Sequence, residues 1–452
     1  MKKYILIILC CLTSFPLWSY NVNMIVEHYS VDQGLPNNTV NCTLKDRDGF
    51  IWFGTWYGLC CFDGVKFKTF NKQEHDSDVP PRKIQRIVED KNGYIWVKTI
   101  DRKLYVFNKV TECFHAVYDD MKNYSENIQV IKLQNTAEGD VLLLTKDKNL
   151  LLAGVDEKGQ VTIKILFDSR DEINKHDYTL KHHVLCETEE YISWIGTDYK
   201  VSAVHKGAEL ASRPADFITS KINSGDKDSF TSFFEDGRKV WVGDRAGIFY
   251  SIDVRTGLVN RYVLSEIKGA ISNLLVTPAG YVYLSVAGQG TYEYDLAERR
   301  LQKINTEMND AMVTHAFIDQ YDKIWFHENE KALIYYDPLN HTAKRFPFTM
   351  FGKITTLYSE DAGERGLFFL SPAGEAWLFD REHVEMVYIN KLKQLSNDRA
   401  NQQFYHLMLD NDGVLWLSSA DEGVYCMNFP KKQFNLLSLS PQSAGRENYA
   451  TG

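Results

Sequence analysis

The chain has 452 residues, which is too long for one compact core and predicts either several domains or one large closed array. Its formal net charge is −9 and it has no lysine and arginine cluster, which makes it a poor match for nucleic acid or an anionic membrane surface. The 25 tyrosines, 25 phenylalanines and 9 tryptophans favour half-buried β-strands over helices.

The first residues have the three parts of a secretory signal peptide. Lys2 and Lys3 precede an apolar run over residues 4–12, and a polar, turn-prone stretch follows as far as Ser19. The apolar run is well short of the ~20 residues that a membrane-spanning helix needs. We therefore expect residues 1–19 to be a signal peptide that is cleaved on export, and we expect no membrane span in this chain.

The cysteines that follow the signal peptide lie far apart and lack the spacing of metal ligands. Adjacent Cys60 and Cys61 would place one side chain on each face of a strand. We interpret the cysteines as small buried side chains with at most one disulfide, in preference to a redox or zinc site.

A repeat of roughly 45 residues fills the rest of the chain. Its clearest copies are residues 46–62 (DRDGFIWFGTWYGLCCF), 90–107 and 410–425. Nine units follow from anchor residues spaced 42–51 apart, which are Trp52, Trp96, Leu143, Trp194, Trp241, Tyr283, Trp325, Phe368 and Trp416.

Four short strands fit each unit, because Asp- and Gly-containing turns separate the apolar stretches. In the first unit the predicted strands are residues 40–45, 50–55, 59–62 and 65–70. Such units predict an all-β fold, a β-propeller of four-stranded blades. The tryptophan of each second strand is then an inter-blade packing residue.

The Asp-x-Asp-Gly turns that begin at Asp46 and Asp410 resemble the start of a calcium loop, but neither has the distal glutamate. Aspartates that cap their own hairpin turn explain the pattern without an ion. We therefore expect no metal and no other cofactor.

The opening segment HYSVDQGLPNNTVNCTLKDRDG and the units after it resemble the two-component regulator propeller repeat, over about residues 25–440. The resemblance implies the periplasmic sensor region of Bacteroidetes hybrid two-component regulators. Such sensors carry two seven-bladed propellers, an immunoglobulin-like domain, a transmembrane helix, a histidine kinase, a receiver and a DNA-binding module. Their ligands are oligosaccharides. The resemblance also leaves open a homodimer formed through the parent sensor, which would be anchored in the inner membrane.

The chain departs from that plan, because nine units exceed the usual four to eight blades of one ring and none of the later modules precedes Gly452. We expect a first propeller of about seven blades over residues 24–350 and the first blades of a second over 351–440. A strand at 434–439 would lead into further blades, and residues 441–452 would be a tail. A single nine-bladed ring is the alternative. The chain is then either a fragment of a longer sensor or a free-standing exported propeller.

Propeller ligands usually meet the face formed by the loops between strands two and three and by the connections between blades. Aromatic and planar polar side chains on such loops suit sugars. Two large aromatic residues in one short loop are costly to expose without a use, although packing on the adjacent blade is the alternative. The candidate ligand-binding residues are Trp56, Tyr57, Arg102, Tyr199, Arg245, Gln289 and His327.

The predicted function is oligosaccharide sensing in the periplasm, with the signal passed to a kinase that is missing from this chain. We expect no catalytic residue. The alternatives are a glycan-active hydrolase or lyase and a protein-interaction scaffold. A hydrolase would need two carboxylates ~5–10 Å apart, for which Asp198, Asp244, Glu330 and Asp421 are available on these loops.

Overall fold

The computed structural model describes residues 25–70, 80–122, 129–146, 149–167, 185–188, 190–195, 200–207, 217–221, 230–304, 313–328, 331–351, 358–361, 366–371, 375–391 and 404–428. These residues form nine four-stranded antiparallel sheets, which we call blades one to nine. The predicted all-β fold of four-stranded blades is confirmed.

The blades follow one another along the chain, and the strands of each are consecutive except in the last. Blade one consists of β2 (Val40–Lys45), β3 (Ile51–Thr55), β4 (Gly58–Phe62) and β5 (Phe67–Phe70). Blade two consists of β6 (Ile84–Glu89), β7 (Ile95–Thr99), β8 (Leu104–Asn108) and β9 (Cys113–Ala116). Blade three consists of β10 (Val130–Asn135), β11 (Val141–Thr145), β12 (Leu150–Val155) and β13 (Val161–Phe167). Blade four consists of β14 (Leu185–Glu187), β15 (Tyr191–Ile195), β16 (Lys200–His205) and β17 (Phe217–Lys221). Blade five consists of β18 (Phe230–Glu235), β19 (Lys239–Asp244), β20 (Phe249–Asp253) and β21 (Leu258–Tyr262). Blade six consists of β22 (Ile271–Val276), β23 (Tyr281–Val286), β24 (Gly290–Asp295) and β25 (Arg300–Lys303). Blade seven consists of β26 (Val313–Ile318), β27 (Ile324–Glu328), β28 (Ala332–Asp337) and β29 (Thr342–Pro347). Blade eight consists of β30 (Tyr358–Asp361), β31 (Leu367–Leu370), β32 (Glu375–Asp380) and β33 (Glu385–Lys391). Blade nine consists of β34 (Phe404–Leu409), β35 (Val414–Ser419), β36 (Val424–Asn428) and β1 (Ile25–Tyr29).

Helices are few and short in the described residues. They are one α-helix, α1 (Tyr118–Met121), and two 3-10 turns, Val31–Gln33 and Phe348–Phe351. In this part of the chain no helix has the length and apolar character needed to cross a membrane.

An aspartate organises the turn between the first two strands in five of the blades. In blade one, Asp46 Oδ1 accepts hydrogen bonds from the backbone N–H groups of Asp48 (3.0 Å) and Phe50 (2.9 Å). Its Oδ2 accepts from Trp52 Nε1 at 2.7 Å. The same aspartate–tryptophan bond occurs in the pairs Asp90–Trp96, Asp236–Trp241, Asp319–Trp325 and Asp410–Trp416. The aspartates therefore cap their own turns, as predicted, and also satisfy the one polar atom of the packing tryptophan.

Each blade packs face to face on the next through a cluster of buried apolar side chains. Trp52 and Phe107 join blades one and two, with their ring centroids 5.6 Å apart. Trp325 and Phe379 join blades seven and eight at 4.6 Å. Equivalent clusters join all the other consecutive blades. The anchor tryptophans whose side chains the structure describes are thus inter-blade packing residues, as their position in the repeat predicted. They are Trp52, Trp96, Trp241, Trp325 and Trp416.

The last blade is completed by the start of the chain. β1 pairs antiparallel with β36 over five residue pairs, from Ile25↔Asn428 to Tyr29↔Val424. The first strands of blades nine and one, β34 and β2, lie side by side. A further cluster joins these two blades and places Trp416 next to Phe53, with centroids 5.9 Å apart. The contacts between blades therefore form one closed cycle of nine.

This closure corrects the expected division of the chain at residue 350. The cluster between blades seven and eight crosses that boundary without interruption. The place beside β36 that a strand at 434–439 was expected to fill is taken by β1, and residues 434–439 lie outside the described part of the chain. The predicted signal peptide, 1–19, and tail, 441–452, also lie outside it. The arrangement is the nine-bladed alternative.

Five cysteines are free thiols, which are Cys42, Cys60, Cys61, Cys113 and Cys426. Cys60 faces the cluster shared with blade nine, whereas Cys61 faces the cluster shared with blade two, so adjacent side chains do point to opposite faces. Burial raises the pKa of both thiols to about 12. They behave as small apolar residues with little thiolate character.

Candidate functional site

The turns between strands two and three lie on the same face of the ring as the segments that lead into the next blade. Backbone hydrogen bonds tie the two sets together: Lys83 N–H donates to the Trp56 carbonyl at 2.9 Å, and Val130 N–H donates to the Arg102 carbonyl at 3.0 Å. In blade six, Ala287 N–H of this turn donates at 2.9 Å to the Ala270 carbonyl, on the segment that leads into the same blade. We call this the loop face. It is the face on which the candidate residues were predicted to lie.

Trp56 and Tyr57 form a two-residue turn between β3 and β4 on the loop face. The Thr55 hydroxyl oxygen accepts a hydrogen bond from Tyr57 N–H at 3.2 Å, which fixes the turn. The Trp56 and Tyr57 side chains are 37% and 59% exposed, and the ammonium of Lys83 lies 5.1 Å from the centre of the Trp56 ring. Both aromatic side chains are thus accessible to a ligand, in a turn whose backbone is fixed.

Arg102 lies on the next turn of the loop face, between β7 and β8. Its φ is +66°, in the left-handed region, and its N–H donates to the Thr99 carbonyl at 2.9 Å. The exposed guanidinium makes a long contact of 3.4 Å with Gln129 Oε1. Lys83 connects this turn to Trp56, because its carbonyl accepts from Ile100 N–H at 2.9 Å.

Arg245 and Gln289 lie on the turns of blades five and six, away from Trp56 along the ring. Arg245 is exposed beside Asp244, whose carboxylate accepts hydrogen bonds from its own turn and whose pKa is raised by burial. Gln289 accepts from Lys268 N–H at 2.7 Å and donates to the Glu266 carbonyl at 3.1 Å. Gln289 therefore braces its own loop with both ends of its amide.

His327 was predicted on a loop, and this placement is wrong, because the residue lies within β27. It pairs with His315 across the first two strands of blade seven, and its ring centroid is 5.0 Å from that of Phe348. Burial lowers its pKa, and the charge of His315 lowers it further. Tyr199, the remaining candidate, lies outside the described residues.

Three acidic side chains, Asp46, Asp48 and Glu89, come close enough together to hold a metal ion. The ammonium of Lys109 lies among them, 3.1, 2.7 and 2.8 Å from their respective carboxylate oxygens. These three hydrogen-bonded carboxylates hold the pKa of Lys109 above its usual range, against the opposing effect of burial. The cluster is an ion pair between blades one and two, and its cation is supplied by the protein.

A cavity of about 460 Å³ lies between blades two and three, lined by β8, β9 and the β12–β13 hairpin. His115 and Asp120 line it and contact each other, with Nε2 and Oδ2 2.7 Å apart. None of the candidate ligand-binding residues that the structure describes lines this cavity.

The candidate residues thus divide between sectors of the loop face. Trp56, Tyr57 and Arg102 lie on blades one and two and are linked through Lys83, whereas Arg245 and Gln289 lie on blades five and six. Sequence reasoning missed Lys83, together with Arg86 on β6 and Lys98 on β7. The available signal was one cation in each of two consecutive predicted strands of the second unit.

Residues 34–57 match the family model for the two component regulator propeller. This confirms the resemblance seen in the same residues of the sequence. The matched segment ends on the Trp56-Tyr57 turn. No curated protein matches the chain.

Solved structures similar to this fold include two extracellular domains from B. thetaiotaomicron. One, from a proposed one component system, has 15% identity and a TM-score of 0.39, with 88% of this chain and 65% of that one covered. The other, from a proposed hybrid two component system, has 15% identity and a TM-score of 0.33, with 88% and 58% covered. The chain therefore spans less than two thirds of each. Virginiamycin B lyase from Staphylococcus aureus, at 8% identity, has a TM-score of 0.34 with 90% and 100% covered. Such low identities indicate a likeness of fold alone.

Proposed function

We propose that this chain is the ligand-sensing propeller region of an exported two-component-type regulator and that it binds an oligosaccharide on its loop face. The match of residues 34–57 to the two component regulator propeller carries the proposal. The exposed pair Trp56 and Tyr57 ends that segment. In this proposal the chain works in the periplasm and passes its signal to a kinase outside the sequence described here, in a parent anchored in the inner membrane.

The chemistry of the turn supports a sugar ligand. Flat aromatic rings stack on the C–H faces of pyranoses, while nearby polar groups bond their hydroxyls, the usual composition of small-ligand sites. The fixed backbone of the turn means that little conformational entropy is lost when a ligand binds Trp56. Arg102 and Gln129, on the adjoining turn and linker, offer planar donors and acceptors.

The test is calorimetric titration of the exported chain, residues 20–452, with a panel of oligosaccharides from plant and animal glycans. We expect at least one ligand to bind without conversion to product, and W56A and Y57A each to weaken it at least tenfold. Y388A is the matched control, because Tyr388 is 53% exposed but lies on β33, away from the loop face. Turnover of the bound oligosaccharide, or equal losses in all three variants, would contradict the proposal.

A further inference from the structure

Two cations lie directly opposite each other on the first two strands of blade two. Arg86 on β6 and Lys98 on β7 are cross-strand partners, an arrangement in which like charges destabilise a sheet. Lys98 is only 5% exposed, and its ammonium donates a hydrogen bond to the neutral Gln85 side chain. Burial lowers the pKa of Lys98 to about 8, and the charge of Arg102 contributes in the same direction. Lys98 is therefore a buried cation that is held close to other cations, which is unfavourable in the unliganded protein. The charge of Arg86 also lowers the pKa of His406 on blade nine.

Three other buried or half-buried cations of the described residues are neutralised between blades. Lys109, Lys206 and Arg381 each contact at least two carboxylates. Arg86 and Lys98, by contrast, have no carboxylate partner among the residues that the structure describes. The chain has a net charge of −9, so carboxylates are plentiful, yet these two cations are not paired with one. Their lack of a carboxylate partner points to an anionic ligand as the counter-charge.

We call Lys83, Arg86, Lys98 and Arg102 the cationic sector. All but Lys98 are exposed, so the sector presents charge to solvent with one further cation beneath it. The nearest acid in sequence, Asp101, accepts a hydrogen bond from Thr99 and lies 3.5 Å from the Lys103 ammonium.

The cationic sector adjoins the aromatic turn. Lys83 lies over the Trp56 ring, and Arg86 follows three residues later, after an irregularity in the register between Ile84 and Arg86. A ligand that stacks on Trp56 can therefore extend over Arg86 within a few sugar rings. A planar carboxylate or a sulfate matches the fork of an arginine, and the buried charge of Lys98 adds to the attraction.

We infer that the loop face of blades one and two selects oligosaccharides that carry carboxylate or sulfate groups, with the acid group bound by the cationic sector. The inference rests on the proposed function and names the class of its ligand. It gives the opposed cations a role that packing alone does not.

The test compares ligands that differ only in charge. Tetragalacturonate and its fully methyl-esterified counterpart are titrated into the wild-type chain, and a heparin-derived tetrasaccharide separates sulfate from carboxylate recognition. We expect an acidic ligand to bind at least tenfold more tightly than the neutral ester. R86Q and K98M should remove most of this preference for the acidic ligand over the ester. K98M should also raise the melting temperature, because it removes a buried charge that has no counter-charge.

The matched control is R300Q, which removes an exposed arginine from β25 in blade six. Equal affinity of the wild type for acid and ester, or an unchanged preference in both variants, would overturn the inference while the proposed function stood. If no carbohydrate binds, the proposed function fails, and pyrophosphate then tests the sector alone. Stabilisation of the wild type but not of R86Q would support the anion site, and equal responses would refute it.

Discussion

Asp90 connects the turn of blade two to the blade that follows it, and its replacement by asparagine tests this role directly. The side chain is 1% exposed. Its Oδ1 accepts hydrogen bonds from the N–H groups of Asn92 and Tyr94, both at 3.0 Å. Its Oδ2 accepts from Trp96 Nε1 at 2.9 Å and from Val155 N–H, on blade three, at 3.1 Å. One carboxylate thus satisfies donors of the turn, the packing tryptophan and the neighbouring sheet.

Asparagine preserves the Oδ1 acceptor but replaces Oδ2 with an amide NH₂. Two buried donors, Trp96 Nε1 and Val155 N–H, then face a third donor. Each buried donor left without a partner costs about 1–3 kcal/mol, so D90N should lower the free energy of unfolding by about 2–6 kcal/mol. The melting temperature should fall by roughly 1 °C per kcal/mol in a chain of this length.

The assay is thermal unfolding followed by circular dichroism, with D63N as the matched control. Asp63 also caps a turn, but it is exposed and accepts only from the N–H groups of Val65 and Lys66. Asparagine performs that task equally well, so D63N should stay within about 0.5 kcal/mol of the wild type. Equal melting temperatures for the two variants would refute the assignment of Asp90 as a link between blades.

Three further perturbations follow from packing and charge. G54A should destabilise by about 1–3 kcal/mol in urea unfolding, because its Cβ would lie 2.5 Å from Ile84 Cγ2, whereas G154A should be nearly neutral since its closest contact is 3.5 Å. Burial lowers the pKa of His406 from 6.5 to about 4, so the folded state resists protonation and loses stability as the pH falls from 6.5 to 4. Melting temperatures at pH 7 and 4.5 should therefore differ less for H406Q than for the wild type. K109M should leave three close carboxylates that bind calcium, so millimolar calcium should raise the melting temperature of this variant and not of the wild type.

Each of these three expectations has a result that contradicts it. Equal stability of G54A and G154A would mean that the inner strands of blades one and two do not approach as closely as described. An unchanged pH response in H406Q would assign the acid sensitivity to other groups. A calcium response in the wild type would show that the Lys109 ammonium is displaceable from its carboxylates.

Strand positions in the first blade could be predicted closely, because a short period and Asp- or Gly-containing turns are local features. The predicted second strand, 50–55, corresponds to Ile51–Thr55, and the predicted fourth strand, 65–70, corresponds to Phe67–Phe70. Local signals also identified the tryptophans as packing residues. They could not identify the partner of β36, because the pairing of Ile25–Tyr29 with Val424–Asn428 joins opposite ends of the chain. Nothing in the sequence IVEHY distinguishes a closing strand from a strand of an earlier blade.

The site was predictable to a smaller extent. The exposed position of Trp56 and Tyr57 followed from the short loop that holds them. His327 was misplaced because the strand of its blade extends to Glu328, which the general pattern of the repeat did not indicate. Arg86 and Lys98 escaped notice because an isolated charge in a strand usually marks a solvated face. Only the register shows that they are directly opposite each other.

Closure through β1 bears on how a ligand at the loop face could reach the rest of a sensor. Gly423 N–H, at the start of β36, donates to the Asn38 carbonyl at 2.9 Å, and Asn38 lies on the segment between β1 and β2. Thr39 follows at once, and its carbonyl accepts from Trp56 N–H at 3.0 Å. A continuous path of backbone contacts therefore runs from the aromatic turn to the last described strand of the chain. Since β36 is held on one side by β35 and on the other by β1, a shift at this turn moves a hydrogen-bonded sheet rather than a free end. In a propeller that senses ligands, blade nine is the part of the ring best placed to pass such a shift to residues beyond Asn428.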